Sequence, residues 1–237
     1  MSLDQRVAVI TGAAGGLASF VAGELASRAA SLALLGRDQA RLDALAQSLD
    51  LGPERLMTRS VNLLHPTEVQ SAADAVAVKF GKVDILIHLV GGWTGGKSLL
   101  EAPAEDLTTM IDQHIWTSFH ATRAFVPLLV RNGWGRVIMI SSPSATRPPA
   151  RSGPYAIGKA GQEALVLTLS AELKGTGVTA NLIQIRTIDL KREKLAHPSP
   201  ENSSWTTPEE LTAAILYLLS EEAKTVNGAR IPLIGLS

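Results

Sequence analysis

The sequence predicts a single-domain α/β protein, an open, doubly wound parallel sheet with helices on both faces. Three observations predict it. Short apolar runs alternate along the chain with stretches of ten or more residues that carry helical spacing. The run Val83–Val90, VDILIHLV, is almost continuously apolar, as a strand covered on both faces should be. A glycine cluster, Thr11-Gly-Ala-Ala-Gly-Gly-Leu-Ala18, stands between the first run and the first helical stretch. Glycines there let a backbone approach a pyrophosphate, which a helix N-terminus then favours electrostatically.

The elements follow in order. Arg6–Thr11 reads as the first strand, with a helix after the glycines to about Ala29. Ser31–Leu35 reads as the second strand, and Asp38–Leu49 has the Leu and Ala spacing of a helix. Leu56–Leu63 is a third strand, and Pro66–Phe80 a helix with proline in its first turn. Val83–Val90 is followed by the loop Gly91-Gly-Trp-Thr-Gly-Gly96 and one long helix from about Glu105 to Asn132. Arg136–Ser141 is a buried strand, and a helix runs through Tyr155 to about Lys174. Val178–Ile185, Pro208–Ser220 and Arg230–Ile234 read as strand, helix and strand, with Lys191–Thr207 as a flap over a site. No internal repeat or interdomain linker is evident, so residues 1–237 are expected to form one domain.

Composition narrows the partners. Lys plus Arg and Asp plus Glu number 22 each, which removes any charge-based case for nucleic acid or an anionic membrane surface. There is no cysteine, hence no disulfide framework or thiolate metal site, and no histidine–carboxylate spacing suggests a metal. No apolar run approaches the ~20 residues that span a bilayer. The opening MSLDQRVAVITG lacks the layout of a signal peptide, so a cytoplasmic location is expected.

The chemistry is concentrated in Ser141–Lys159. Tyr155 and Lys159 lie four apart behind a proline that can open a helix, so phenol and ammonium share one face. Tyrosine ordinarily ionises near pH 10, about three units too high for acid–base work at neutrality unless a cation favours the phenolate. Lys159 is placed to supply that cation, and Ser142, at the end of a strand, to deliver a hydroxyl. Taken alone, a Tyr/Lys pair is as compatible with surface decoration. The agreement of several positions carries the reading: the glycines after strand one, Arg37 after strand two, Gly91 after strand four and Ser142 after strand five all fall at carboxyl ends of strands, where such sheets bind ligands.

These residues resemble the short-chain dehydrogenase/reductase family over essentially the whole chain. The family's Thr-Gly-x-x-x-Gly-x-Gly is present as Thr11, Gly12, Gly16 and Ala18, and its Ser, Tyr and Lys fall on Ser142, Tyr155 and Lys159. The resemblance implies a Rossmann-type fold and hydride transfer between NAD(P) and a small carbonyl or alcohol. Tyr155 would be the proton donor, Ser142 would hold the carbonyl oxygen, and Lys159 would tune Tyr155 and bind the nicotinamide ribose. It implies cofactor contacts at Gly12, Ala14, Gly15, Gly16 and Leu17, at Arg37, at Asn62 and Leu63, at Val90, Gly91 and Gly92, at Tyr155 and Lys159, and at Thr187. A homotetramer or homodimer is implied as well. The segments Gly91–Gly96, Ile115-Trp-Thr-Ser118 and Ser203–Pro208 resemble the dihydropteridine reductase branch, which makes quinonoid pteridine reduction an alternative. That branch lacks the serine kept here as Ser142.

Several positions depart from the family. Asn-Asn-Ala-Gly becomes His88-Leu-Val-Gly91, which removes side-chain bonds expected to brace the sheet, and Ile185-Arg186 replaces a Pro-Gly pair near the nicotinamide. Asn62 stands for an aspartate. His114 stands for the fourth catalytic residue, an asparagine, either as a relay whose charge changes near neutral pH or as a packed helix histidine. His88 reads as a hydrogen-bonded core residue. These departures keep open a dinucleotide-binding protein without turnover. Arg37, beside Gly36, has the charge to pair with a 2′-phosphate, which favours NADP(H) with NAD(H) possible; a solvated helix-start arginine is the plain alternative. Trp93, Trp116 and Trp205 read either as buried anchors or, for Trp93 and Trp205, as walls for a planar substrate.

Overall fold

The computed structural model describes residues 2–235. Strand β1 (Val7–Thr11) leads through the glycine turn into α1 (Ala18–Ser27), followed by β2 (Ser31–Gly36), α2 (Gln39–Ser48), β3 (Leu56–Ser60), α3 (Pro66–Phe80) and β4 (Ile85–His88). After a loop come α4 (Ala104–Ile111), a π-helical turn (Asp112–Trp116) and α5 (Thr117–Arg131). The chain ends with β5 (Gly135–Ser141), α6 (Gly153–Glu172), β6 (Val178–Ile185), α7 (Glu193–Ala196), α8 (Pro208–Leu219) and β7 (Arg230–Leu233).

The seven strands form one sheet in the order β3-β2-β1-β4-β5-β6-β7, with every pairing parallel. Alternation along β1 divides the core. Val7 and Val9 pack with Val69 and Val76 of α3, Phe125 and Leu129 of α5 and Val166 of α6. Ala8 and Ile10 pack with Val21 and Leu25 of α1, Leu42 of α2 and Leu211 and Ile215 of α8. With both faces covered, β4 is buried throughout and apolar from Ile85 to Ile87. The order in which strands are added reverses between β1 and β4, which opens a crevice at the carboxyl ends of these strands.

The structure corrects two expectations and adds detail to a third. The long helix is not continuous: at Asp112–Trp116 the hydrogen bonds slip to a π pattern, so one extra residue enters the turn and rephases α5 against α4. β3 ends at Ser60 rather than Leu63, because Asn62 folds its side chain back and its Oδ1 accepts from the Leu64 amide at 3.1 Å. The Lys191–Thr207 segment is tied down. Asp189, 1% exposed, accepts from the amides of Glu193 and Lys194 at 2.8 Å each, and Thr206 bridges to Ile188. Among the described residues no helix is long and apolar enough to cross a membrane.

Candidate active site

Helix α6 opens with Pro154 in its first turn, so the residues behind it are helical at once and Tyr155 and Lys159 fall on one face. β5 ends beside that face and delivers Ser142, which is 3% exposed. The Ser142 hydroxyl accepts from the Ser144 amide at 3.2 Å, which fixes its direction. Burial pushes the Tyr155 phenol up from its ordinary value, and its hydrogen bond with Ser142 opposes that shift.

Lys159 is 4% exposed and does not stand free beside the tyrosine. Its Nζ donates to the Ile140 carbonyl at 2.7 Å and to Gln162 Oε1 at 3.0 Å. Gln162 Nε2 in turn donates to Ser118 Oγ at 3.0 Å, and Ser118 donates to the His114 carbonyl at 2.7 Å. Burial pushes the Lys159 ammonium down to about 7, with the Glu163 carboxylate holding it up against that loss. The expected lowering of Tyr155 by Lys159 is therefore not what the geometry gives, since desolvation dominates at both groups. Ser118 enters the sequence reading only as the end of Ile115-Trp-Thr-Ser118, and Gln162 belongs to no motif there. Gln162 stands three residues after Lys159 on the same helix face, the one signal that pointed to it.

His114 sits in the π turn, wholly buried, its ring edge-on to Tyr155 at 5.5 Å. Its Nε2 is 3.0 Å from the Gly92 carbonyl, which can only accept, so Nε2 carries the proton. Nδ1 is then an unprotonated acceptor, buried with no partner among the described residues. Burial, reinforced by Lys159, pushes the imidazole down to about 3, with the Gly92 bond opposing. A charge that changes near neutrality is thus overturned: His114 is neutral across the physiological range.

His88 is also fully buried. Thr117 Oγ1 gives its proton to the Gln113 carbonyl at 2.6 Å, so it accepts from His88 Nε2 at 3.3 Å; His88 Nδ1 then accepts from Thr11 Oγ1 at 2.7 Å. Burial pushes His88 down to about 3, as a core histidine with both nitrogens occupied requires. The bracing expected to be lost is instead supplied by this bridge from β1 through β4 to α5.

Two cavities meet the crevice. The first, about 910 Å³, is lined by Gly12, Ala14, Gly15, Arg37, Asn62, Leu63, Val90 and Gly91 of the expected cofactor positions, together with Asp38, Arg41, Asp112 and Gln113. Gly16, Leu17 and Gly92 do not line it. A side chain at Gly16 would come 2.9 Å from Leu190 Cδ1, so the segment after β6 covers that glycine. The second cavity, about 600 Å³, is lined by Trp93, Ser142, Pro143, Ser144, Arg147, Pro149, Tyr155, Arg186 and Thr187. Trp93 is 63% and Trp116 46% exposed, so neither is a buried anchor, and Trp205 is not among the residues lining the second cavity.

The short chain dehydrogenase family model matches residues 6–196, which include the glycine turn, Ser142, Tyr155 and Lys159. The chain belongs to the short chain dehydrogenase family. As a short-chain dehydrogenase it is an oxidoreductase whose chemistry depends on NAD(P). An uncharacterized oxidoreductase of Staphylococcus epidermidis is 28% identical over 222 residues, 92% of each chain. D-Threitol dehydrogenase of Mycolicibacterium smegmatis is 28% identical over 249 residues, covering 98% of this chain and 93% of that protein. In fold, the chain superposes with a TM-score of 0.88 and 23% identity on a Pseudomonas aeruginosa short-chain oxidoreductase described as containing an atypical catalytic center, over 100% of this chain and 99% of that one.

The residues present fit a dinucleotide. The larger cavity lies at the switch point between β1 and β4, has the Gly12–Gly15 backbone at one wall, and carries the Arg37 and Arg41 guanidiniums beyond β2. Gly12 is held at φ +77°, and a Cβ there would lie 2.8 Å from the Val90 amide nitrogen, so only glycine lets β1 turn this close to the end of β4.

Proposed function

We propose that this short-chain dehydrogenase reduces a small carbonyl compound with NADPH, running in reverse as an alcohol oxidation. The observation that carries the reading is the pairing of Ser142 with Tyr155 at the wall of a 600 Å³ cavity, with Lys159 buried on the same helix face. When bound, the nicotinamide supplies or takes up the hydride. Ser142 donates a hydrogen bond to the carbonyl oxygen, where negative charge develops, and Tyr155 gives its phenolic proton to that oxygen. Lys159, anchored by Ile140 and Gln162, holds its ammonium on the same helix face, where its positive charge offsets the phenolate left when the proton leaves. The dinucleotide contacts are assigned to Gly12, Ala14, Gly15, Arg37, Asn62, Leu63, Val90 and Gly91, with Thr187 and Lys159 toward the nicotinamide. Trp93 gives the pteridine alternative one aromatic wall, but Ser142 and the position of Trp205 favour ordinary carbonyl reduction.

The preference for NADPH rests on charge. Arg37 lies exposed in the larger cavity, whereas Arg41 is engaged by Asp38 at 3.4 Å. Arg37→Ala is expected to weaken NADPH binding about tenfold, the scale of one charge-assisted contact, and NADH binding by less than about twofold. Fluorescence titration with each cofactor checks this, and equal or tighter NADH binding by the native protein would overturn the preference.

The proton on Lys159 gives a pH signature. Reduction that uses the ammonium is expected to decline as pH rises through about 7. Glu163 raises the Lys159 value, so Glu163→Gln should move the decline to lower pH, while His114→Asn should not move it because His114 carries no charge there. Profiles of kcat/KM against pH for the three proteins decide it; a midpoint fixed in Glu163→Gln contradicts the assignment to Lys159.

The assembly is assigned to a homodimer or homotetramer through α5 and α6, and the location to the cytoplasm. Support for the assembly comes from Trp116 and Phe119, 46% and 37% exposed and packed edge-on at 6.0 Å where the π turn runs into α5.

A further inference from the structure

Two arginines reach the Tyr155 cavity from beyond the carboxyl ends of the neighbouring strands β5 and β6. Arg186 follows directly on Ile185, the last residue of β6, so its backbone is set by the sheet. Arg147 stands on the loop after β5, where the Ala145 amide donates to Ser142 O at 3.0 Å and the Arg147 amide to Pro143 O at 2.9 Å. Pro148 follows it and narrows its backbone freedom further. Both line the same cavity of about 600 Å³ as Ser142 and Tyr155.

Neither guanidinium has a partner among the described residues, whereas several arginines elsewhere on the surface do. Arg6 is paired with Asp84, Arg28 with Glu24, Arg192 with Glu209 and Arg230 with Glu163. The cavity wall contains no carboxylate at all: its other residues are Trp93, Pro143, Ser144, Pro149 and Thr187 besides the Ser and Tyr. A chain with no net charge has thus gathered two unpaired positive charges at one concave site. Such an arrangement attracts an anion, and the guanidinium fork matches carboxylate and phosphate oxygens.

We propose that Arg147 and Arg186 form an anion subsite beside Ser142 and Tyr155, and that the substrate is a carbonyl compound bearing a carboxylate or phosphate group. The inference rests on the carbonyl-reductase reading above and deepens it. With the anion held by the two arginines, the carbonyl is fixed against Ser142 and Tyr155, and neutral carbonyl compounds of the same shape lose that anchor. Trp93, at the same wall, offers a face for the carbon skeleton between the two groups.

The test compares 4-carboxybenzaldehyde and 4-formylphenyl phosphate with the neutral methyl 4-formylbenzoate, in binding and in turnover. Binding to the NADP⁺-saturated protein is followed by tryptophan fluorescence, and turnover with NADPH by kcat/KM. At least one anionic aldehyde is expected to bind about tenfold more tightly than the ester and to be reduced with a correspondingly higher kcat/KM. Arg147→Gln and Arg186→Gln, both at exposed positions, should each bring the acid-to-ester ratio towards one, and added salt should do the same. If the ester binds as well as both anions, or if the ratio survives both substitutions, the anion subsite is overturned even when all three aldehydes are reduced. If the anions bind selectively and that selectivity falls in both variants while none of the aldehydes is reduced, the subsite stands and the carbonyl-reductase reading fails instead. A substitution at Arg186 that weakens NADP⁺ while leaving the ratio unchanged would assign that residue to the cofactor and overturn its part in the subsite.

Discussion

Tyr155→Phe is expected to lower kcat/KM for carbonyl reduction by about 10³-fold, within the range of a lost general acid, while leaving cofactor affinity within about twofold. The substitution removes only the hydroxyl. The ring stays, and with it the edge-on contact to His114 at 5.5 Å. Burial already holds the phenol in its protonated form, so removing the hydroxyl withdraws a proton donor rather than a charge. Folding should be little affected, because Ser142 keeps its bond to the Ser144 amide. Thermal unfolding, cofactor titration and steady-state kinetics on one preparation separate these effects. A Phe variant that retains more than about a tenth of the native rate would remove Tyr155 from the proton-transfer role, since general acids contribute at least about 10²-fold.

The second large effect is expected at the glycine turn. Gly12→Ala forces a side chain into a left-handed backbone at φ +77°, with its Cβ 2.8 Å from the Val90 nitrogen and 2.9 Å from the Leu89 carbonyl carbon. The conformation alone costs about 1–2 kcal/mol for a non-glycine residue. Backbone cannot rotate away as a side chain can, so the contact adds to that cost and either β1 or β4 must shift. A total of at least about 2 kcal/mol corresponds to a fall in Tm of about 4–8 °C for a chain of this size. Because the strand ends that would move also wall the larger cavity, cofactor affinity should fall by at least about tenfold, the equivalent of about 1.4 kcal/mol. Calorimetry and cofactor titration read the two effects, and native-like values for both would show that the turn does not need glycine.

Much of this architecture was legible in the residues. The continuous apolar character of Val83–Val90 identified a strand buried on both faces, and the glycines after Thr11 marked the turn at the switch point. Tyr155 and Lys159 could be placed on one face because helix geometry is local. What was not legible depends on burial and on contacts between distant segments. The interruption of the long helix at Asp112–Trp116 needs a hydrogen-bond slip that side-chain periodicity does not announce. In sequence His114 is either a relay that titrates near neutrality or a packed helix histidine, and in the fold it loses nearly all its hydration and stays neutral. The same desolvation separates Lys159 from its expected influence on Tyr155, because the Ile140 carbonyl that holds its ammonium is a backbone group without a sequence signature. His88 looked like a lost brace, and only the positions of Thr11 and Thr117 show it to be the brace itself. Arg147 and Arg186 meet in one cavity because β5 and β6 are neighbours in the sheet, a fact of topology that neither residue carries alone.

The central claim is that this short-chain dehydrogenase transfers hydride to a carbonyl with Tyr155 supplying the proton. NADPH fully deuterated at nicotinamide C4, incubated with the protein and 4-carboxybenzaldehyde, tests it most directly, with the product alcohol read by mass spectrometry and proton NMR. The account predicts deuterium at the carbinol carbon of the alcohol formed by the native protein, and formation of that alcohol slowed about 10³-fold in Tyr155→Phe. Absence of deuterated alcohol, or deuterated alcohol formed at the native rate by Tyr155→Phe, would contradict it.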